Sequence, residues 1–331
     1  MYELTVERSK DILKSAENQE IAVIGDIMLD RFIWGNVSRI SPEAPVPVLE
    51  FVKETSHLGG AANVASNIKS LGAKPILLGV LGDDRESEIF LDIMRQQGLS
   101  NDGIFIDPDK STTVKTRLIA VNQHIARIDR DNRQNIDQNI QEFFLNYLKS
   151  LTNLKAIIFE DYNKGLLPKE FIKRVIEFAN ERNIYITVDP KQENFFEYRN
   201  VNLFKPNLKE AQYALGYPLN TIEERTRAGK DIIKKLQCDN ILLTLGADGM
   251  MLFGKNCQTL SIPTRARQVA DVSGAGDTAI ATFTVATIGG ASIEESAMIS
   301  NYAAGTVCEK PGVVAIEIDD LLQTIKRNSK L

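Results

Sequence analysis

"DVSGAGDTAI", residues 271–280, sets three small residues, Gly274, Ala275 and Gly276, directly before an acid, Asp277. The chain continues "DTAIATFTVATIGG", whose small and apolar residues predict a buried helix over 277–288 closed by Gly289-Gly290. That helix begins at the glycine run, where free amides and the positive end of the helix dipole make an anion site. Such a site can hold phosphoryl oxygens as charge builds in a transition state. A carboxylate is a poor neighbour for the phosphate itself, but it can take the proton from the hydroxyl that attacks the phosphate. The plainer alternative is that Asp277 only caps its helix. The run lacks the third glycine of a dinucleotide fingerprint and the Gly-Lys-Ser/Thr of a P-loop, so it does not decide the matter alone.

Upstream, short apolar runs alternate with amphipathic stretches. "IAVIGD" at 21–26, "KPILLGVLG" at 74–82, "KAIIFED" at 155–161, "IYITVDP" at 184–190, "NLFKPN" at 202–207 and "NILLTLG" at 240–246 each read as a buried strand ending in polar or turn residues. Helical patterns fall between them at 60–71, 84–97, 137–150, 168–181, 207–215 and 221–237. Pro168 is expected in a first helical turn and Gly98 just past a helix end. The alternation predicts an α/β fold, a mostly parallel central sheet with helices on both faces, as one domain over residues 1–331. Ligands of such folds sit at the carboxyl ends of strands, where Asp26, Asp161, Asp189, Asn207 and Gly246 fall.

Two segments break the series. Residues 32–54 hold three of the eleven prolines, and residues 112–130, "TTVKTRLIAVNQHIARIDR", alternate apolar and polar side chains. Both read as antiparallel strands with one wet face, a small β lid apart from the main sheet. A ligand cover, a dimer contact and plain surface hairpins are all open uses for it.

At 331 residues, with 43% hydrophobic and 25% charged residues, the composition is that of an ordinary globular protein. A net charge of −5 argues against a nucleic-acid scaffold, and an anionic small molecule would need local basic groups or backbone amides. Cys238, Cys257 and Cys308 are scattered and form no metal or redox spacing. The first twenty residues carry no apolar signal core, and no apolar run is long enough to span a membrane. A cytoplasmic location is therefore expected, with no nucleic-acid or membrane partner. His57 and His124, the only histidines, have no Ser or Cys partner in a hydrolase motif and receive no catalytic role.

Four more stretches belong with the glycine run. They are "GGAANVASNIKSLG" at 59–72, "KPNLKE" at 205–210, "LTLGADG" at 243–249 and "NYAAG" at 301–305. Together they resemble the ribokinase-like, or PfkB, family of sugar kinases over about residues 20 to 315. Gly-Gly-x-x-Asn at 59–63 and Asp-x-x-Gly-Ala-Gly-Asp at 271–277 match the two family signatures. "GDIMLDRFIWG", "SRISPEAPVPVLE", "TTVKTR" and "EDYNKGLL" look like the branch that phosphorylates the anomeric hydroxyl of D-glycero-β-D-manno-heptose 7-phosphate. Its product, the 1,7-bisphosphate, leads to ADP-heptose and the lipopolysaccharide core. The branch usually has Ser-Asp-Tyr-Gly-Lys-Gly where this chain has Glu160 to Gly165, and commonly Thr in place of Ser273. In many bacteria the kinase is fused to a nucleotidyltransferase. This chain ends near the end of the kinase, so the resemblance implies the first activity alone.

The resemblance implies a role for each matching residue. Asp277 is the base, and the amides of Gly274, Ala275, Gly276 and Asp277 form the anion hole. Asp26 and Asp30, placed at the end of the first strand, accept hydrogen bonds from sugar hydroxyls, since a buried hydroxyl left unpaired is costly. Asn63 adds an amide contact, and Gly59 and Gly60 let the chain approach the sugar closely. Asp161 joins the substrate-facing set. Asn207, Leu208, Lys209 and Glu210 lie along the ATP, with Asn207 and Glu210 arranging Mg²⁺ through water. Thr244 and Gly246 line the nucleotide phosphates, and Asn301 the adenine side. A monovalent cation is a further expectation. Lys115, Arg117, Arg127 and Lys191 are candidates for the sugar's own phosphate, each with a solvated surface charge as its alternative. A loop salt bridge is the alternative for Asp30, and a helix-start role for Asn63 and for Asn207. The partners implied are a sugar phosphate, ATP and a second copy of the chain, joined through the β lids. Kinases of ribose, fructose 1-phosphate or a nucleoside remain alternatives on the same fold. A non-catalytic sugar sensor is disfavoured by the intact Asp277 and glycine run. A nicotinamide oxidoreductase is disfavoured because "GDIMLD" stands where a glycine-rich turn would follow the first strand.

Overall fold

The structure, a computed structural model, describes residues 4–120, 123–255, 259–264 and 270–328. Cys257 and residues 121–122 of the second lid segment lie outside the described residues. In chain order the elements are α1 (Val6–Ser15), β1 (Glu20–Gly25), β2 (Ile27–Ile40), β3 (Pro47–Gly60), α2 (Ala61–Ser70), β4 (Lys74–Gly82), α3 (Arg85–Gln96) and β5 (Ile104–Asp107). The middle third gives β6 (Val114–Ala120), β7 (Gln123–Arg130), α4 (Gln138–Ser150), β8 (Leu154–Glu160), α5 (Lys169–Glu181), β9 (Tyr185–Asp189) and β10 (Leu203–Phe204). The last part gives α6 (Leu208–Leu215), α7 (Ile222–Leu236), β11 (Asn240–Thr244), β12 (Met250–Gly254), β13 (Leu260–Ile262), α8 (Ala275–Ile288), α9 (Ile293–Cys308) and α10 (Ile318–Asn328).

Among the described residues the main sheet has nine strands in the order β13-β12-β11-β10-β9-β8-β1-β4-β5. It is parallel from β11 through β5 and antiparallel only at β11–β12 and β12–β13. The expected α/β architecture is therefore present. One core layer packs α4, α5 and α7 against the sheet, and a second packs α1, α2, α3, α8, α9 and α10 against the other face. From β1 the chain moves outward to β4 and β5, then returns to β8 on the opposite side. The crevice between the carboxyl ends of β1 and β8 is thus a topological switch point. Asp26 and Asp161 sit at its lip.

The lid sheet has the order β3-β2-β6-β7. β2–β3 and β6–β7 are antiparallel, as expected, but the central β2–β6 pair is parallel, with Asp30 beside Lys115 and Phe32 beside Arg117. The reason is topological. β2 follows β1 and β6 follows β5, so both leave the same edge of one parallel sheet and run outward together. The first lid hairpin is also longer than residues 32–54. It runs from Ile27 to Gly60, which puts Asp30 within β2 instead of in a loop after β1.

Most helix boundaries shift by one residue and the start of α8 by two. Pro168 is the N-cap of α5, one residue before its first turn. α8 starts at Ala275, two residues early, because Gly274 takes a left-handed φ of 79° and turns the chain into the helix inside the glycine run. Asp277 becomes the third helical residue. Apart from it, α8 is apolar or small on every side and is buried over Thr278–Ala286, so its amino end is delivered to the interior.

Candidate active site

Asp277 is 6% exposed. Its Oδ2 accepts from Asn63 Nδ2 at 2.8 Å and its Oδ1 from the Tyr162 hydroxyl at 2.9 Å. The N-cap of α8 is Gly274, and among the described residues no side chain caps that helix end. The capping alternative for Asp277 is therefore corrected: its carboxylate turns away from the helix end and toward the crevice. Burial pushes its pKa up; Asp189 adds to the rise, while Asn63, Tyr162 and Lys205 oppose it. The first amides of α8, from Ala275 to Asp277, have no acceptor within the helix. A side chain on Gly276 would point at Lys205 Nζ and Asp189 Oδ2, 3.5 and 3.7 Å away, so the glycine keeps the approach to those amides clear.

Asn63, expected at the sugar, gives its amide nitrogen to Asp277. A second layer fixes it. Asn67 Nδ2 donates to the Asn63 carbonyl at 2.8 Å, and Asn67 Oδ1 accepts from Thr278 Oγ1 and the Ile316 amide, both at 3.0 Å. Helix α2 can begin where it does because Gly60 has φ 59°, a conformation and a space that a Cβ would spoil by striking the Asp26 carbonyl.

Asp26 is buried, and its carboxylate accepts from the amides of Tyr162, Lys164 and Leu166. It anchors the 162–166 turn over the crevice. Burial, with Asp161 nearby, raises its pKa to about 6 against the pull of those three amides. Asp161 is likewise engaged, accepting from the Asn163 amide, Asn194 Nδ2 and, at 2.7 Å, the Tyr198 hydroxyl. Asp30 pairs with Arg117. A Cβ at Gly59 would collide with Asp30 Oδ2, so Gly59 makes room for that carboxylate.

The four candidate phosphate cations separate. Lys115 is mostly buried, with its ammonium 4.9 Å from the Tyr162 ring centre. Burial lowers its pKa, and Lys164 and Arg117 push in the same direction against Asp30 and Asp129. Of the cations gathered here, Arg117 is paired with Asp30 and Lys164 with Asp131, which leaves Lys115 against the Tyr162 ring. Arg127 stands on β7, which is exposed throughout, and pairs with Asp129 at 2.8 Å; the structure leaves it apart from them. Lys191 also approaches Tyr162, but it binds Glu210 at 2.9 Å and reaches Asp189 at 3.8 Å, on the side of α6.

Asn207 and Glu210 form a capping box at the start of α6, with Asn207 N donating to Glu210 Oε2 at 2.8 Å. The other Glu210 oxygen holds Lys191. Carboxylate oxygens suit a hard cation, and with both in use Glu210 can serve one through water. Leu208 follows in the same turn, and Lys209 is exposed. Thr244 ends β11 and bridges to Asn207. Gly246 has φ 61° and open space where a Cβ would lie. Asn301, buried in α9, donates to the Pro263 carbonyl at 2.8 Å.

Sequence reading passed over Tyr162, Lys164, Glu160, Lys205 and Asn67. The first three lie in "EDYNKG", immediately at the carboxyl end of β8, where the switch-point rule could have found them. Lys205 Nζ binds Asp189 Oδ2 at 2.9 Å in the interior. Its signal was a lysine placed directly after a strand too apolar to need one.

The comparisons with known proteins bear on this arrangement. The sequence matches the pfkB family of carbohydrate kinases over residues 18–319. The chain belongs to that family. Its chemistry is the transfer of a phosphoryl group to a sugar hydroxyl. A protein from Trichlorobacter lovleyi named bifunctional protein HldE is 37% identical over 317 residues, which are 96% of this chain and 65% of that protein. A protein of the same name from Helicobacter pylori is 36% identical over 92% of this chain and 65% of its own length. The chain thus spans just under two thirds of these relatives. Among solved structures, phosphofructokinase-2 from Escherichia coli in complex with potassium superposes with a TM-score of 0.79 at 17% identity, covering 94% of this chain and 99% of that one. Ribokinase from Arabidopsis thaliana complexed with ribose and ATP gives 0.73 at 19% identity, covering 93% and 99%. These two likenesses establish the ribokinase-like fold. Among the described residues, no helix is long and apolar enough to cross a membrane.

Proposed function

We propose that the protein is an ATP-dependent kinase of D-glycero-β-D-manno-heptose 7-phosphate, acting on the anomeric hydroxyl to give the 1,7-bisphosphate. The observation that carries the reading is the placement of Asp277 at the amino end of α8, with Lys115 over the ring of Tyr162, whose hydroxyl donates to Asp277. That arrangement suits a substrate with a hydroxyl at one end and a phosphate at the other. The kinship to proteins named HldE and the branch-like stretches of the sequence support heptose 7-phosphate as that substrate.

In the reaction, the anomeric oxygen attacks the γ-phosphorus of ATP, the bond to the β-phosphate oxygen breaks, and ADP leaves. Asp277 accepts the hydroxyl proton. The amides of residues 275–277 face the transferred phosphoryl oxygens, as Thr244 and Gly246 face the rest of the triphosphate. Mg²⁺ bound with ATP would neutralise phosphate charge, with Glu210 positioned to hold its water. Asn63 and Tyr162 keep the Asp277 carboxylate aimed. The second copy of the chain docks on the lid, where Ile40, Val46, Phe51, Val52, Ile125 and Ile128 are 41–67% exposed. Exposed apolar groups of this size favour an interaction surface on the lid. The protein works in the cytoplasm, where ATP is available.

The test is ADP release with heptose 7-phosphate, free heptose, fructose 6-phosphate and ribose, for wild type and Lys115→Met. A site built around a phosphate disfavours the unphosphorylated sugar, because its cations are then left unpaired. Loss of one charge-assisted contact, worth about 1.5–3 kcal/mol, should raise KM for the sugar phosphate roughly 10- to 100-fold. KM for ATP should move much less. Preference for free ribose or fructose would refute the heptose reading and leave a broader sugar kinase.

A further inference from the structure

Asn67 lies on α2, one turn after Asn63, and is wholly buried. Its side chain ties three parts of the chain together. Oδ1 accepts from the Ile316 amide, between α9 and α10, and from Thr278 Oγ1, beside Asp277 on α8, both at 3.0 Å. Nδ2 donates back along α2 to the Asn63 carbonyl at 2.8 Å and to Asn63 Oδ1 at 3.3 Å. Asn63 Nδ2 in turn donates to Asp277 Oδ2 at 2.8 Å. A carboxamide has one freedom that packing does not remove: turning it over exchanges an oxygen for a nitrogen of nearly the same size. Gly274 confines the Asn63 side chain, since a Cβ there would come within 2.8 Å of Nδ2, but shape alone does not choose between the two faces. Turned over, Asn63 would aim an oxygen at the Asp277 carboxylate, acceptor against acceptor.

We propose that Asn67 is a positioning residue for Asp277: held by the Ile316 amide, it keeps the Asn63 carboxamide turned with its nitrogen toward the carboxylate. The order of dependence follows from the donors. A backbone N–H can only donate, so the Ile316 amide fixes which end of Asn67 is oxygen. The Asn67 nitrogen then faces two oxygens of Asn63, where only a donor is tolerated, and the Asn63 nitrogen is left for Asp277. Every step is buried, where a mismatched polar contact costs more than in water. The hydrogen bond from Asn63 favours ionised Asp277, as does the one from Tyr162, against burial and Asp189. The groups facing Asp277 are Asn63 from α2, Tyr162 after β8, Glu160 from β8, Asp189 from β9 and Lys205 after β10. Asn67 reaches the carboxylate through Asn63. Its role rests on the reading of Asp277 as the base and is independent of the sugar.

The experiment follows the ionisation of Asp277 in the full chain by infrared difference spectroscopy over pH, its carboxyl band being the one absent from Asp277→Asn. The pH profile of kcat/KM is measured beside it. Asn67→Leu keeps the branched shape, adds no charge and removes the donor to Asn63. The Asp277 pKa and the acid limb of the profile should both rise by about one pH unit, the lower end for a hydrogen bond to a charged group. A merely structural loss would lower kcat/KM equally at every pH. Asn63→Ala should raise the pKa by itself, and adding Asn67→Leu to it should move the midpoint no further, since the two act through one bond. Asn67→Leu leaves the Ile316 and Thr278 donors unpaired. If it does not fold, Asn67→Ala is read in the same way, because the space then admits a water that accepts from those donors but has no fixed face to hold Asn63. The proposal is overturned if the midpoint of the band stays at its wild-type pH, or if Asn67→Leu shifts it as far without Asn63 as with it. Either result leaves Asp277 standing as the base. If the midpoint moves and the acid limb does not, the relay holds and the reading of Asp277 as the base falls.

Discussion

At the carboxyl edge of the main sheet, Asp26, Glu160, Asp161, Asp189, Lys205 and Asp277 are each no more than 6% exposed. On the lid, β7 carries charges of the same kinds, and every one of its residues is exposed. The two regions treat charge in opposite ways. A buried charge is strongly destabilising unless partners answer it, so at the sheet edge Asp26, Asp161, Asp189, Lys205 and Asp277 are each fixed by named donors or counter-ions. On the lid, Arg127 and Asp129 pair in water, where such a pair contributes about 0–1 kcal/mol. Apolar residues also differ: the main sheet encloses them, whereas the lid buries Phe32 and Ile119 but leaves Phe51, Val52 and Ile128 in solvent. The sheet edge is thus a preset site. The lid gains definition only from what it covers or meets.

The hardest strike at this contrast is Asp277→Asn. Asparagine is nearly the same shape, is easier to bury than a carboxylate, and would serve as a helix cap about as well. Fold and ATP binding should survive. Turnover measured by ADP release should fall by about 10²–10⁴-fold, the usual contribution of a general base. Turnover within a few-fold of wild type would remove the preset base and with it the contrast.

The contrast also explains what could be read in advance. Strands ending at Asp26, Asp161 and Asp189 were legible because apolar runs closed by an acid have few other readings in an α/β alternation. Asp277 was legible because the glycine run has a geometric purpose. The parallel β2–β6 pairing was not, since alternation of apolar and polar residues reports a wet face and says nothing of strand direction. Nor was the division of labour among Lys115, Arg117, Arg127 and Lys191. A lysine's role depends on which carboxylate it meets, and Lys191 meets Glu210, nineteen positions away along the chain. Asp26 and Asn63 were expected to face a sugar. In the fold their polar atoms bind a backbone turn and Asp277, partners that only the folded chain brings near.

A second, smaller strike falls on the lid. Phe51 is 67% exposed on β3. If a second copy covers it, Phe51→Glu buries an unpaired charge there. That costs about 3–5 kcal/mol, on the order of a hundredfold or more in the dimer dissociation constant. Light scattering at micromolar concentration should show a dimer for wild type and a monomer for the variant. A fully active wild-type monomer would mean that the exposed apolar residues of the lid are not a dimer contact.

The finest probe is Tyr162→Phe, which removes one hydroxyl and keeps the ring. The ring still faces Lys115 and Lys191, each 4.9 Å from its centre, so their packing is preserved. What disappears is the donor to Asp277 Oδ1. That bond favours the ionised carboxylate and opposes the rise that burial imposes on the Asp277 pKa. Without it the pKa climbs further. As the proposed base Asp277 must be ionised, so kcat/KM should fall as pH drops through that pKa, and the acid limb of the profile should move to higher pH. A hydrogen bond to a charged group is worth about 1.5–3 kcal/mol, which corresponds to roughly one to two pH units. Folding follows the same sign. A carboxylate whose pKa is raised on folding stabilises the native state at low pH, below its unfolded value, and that contribution is lost as pH rises through the folded value. The variant should therefore lose more stability than wild type between acidic and neutral pH. Well above the limb, its turnover should come within a few-fold of wild type. An equal loss of kcat/KM at every pH would show that Tyr162 acts by placing the sugar and not by holding the base in its charged form.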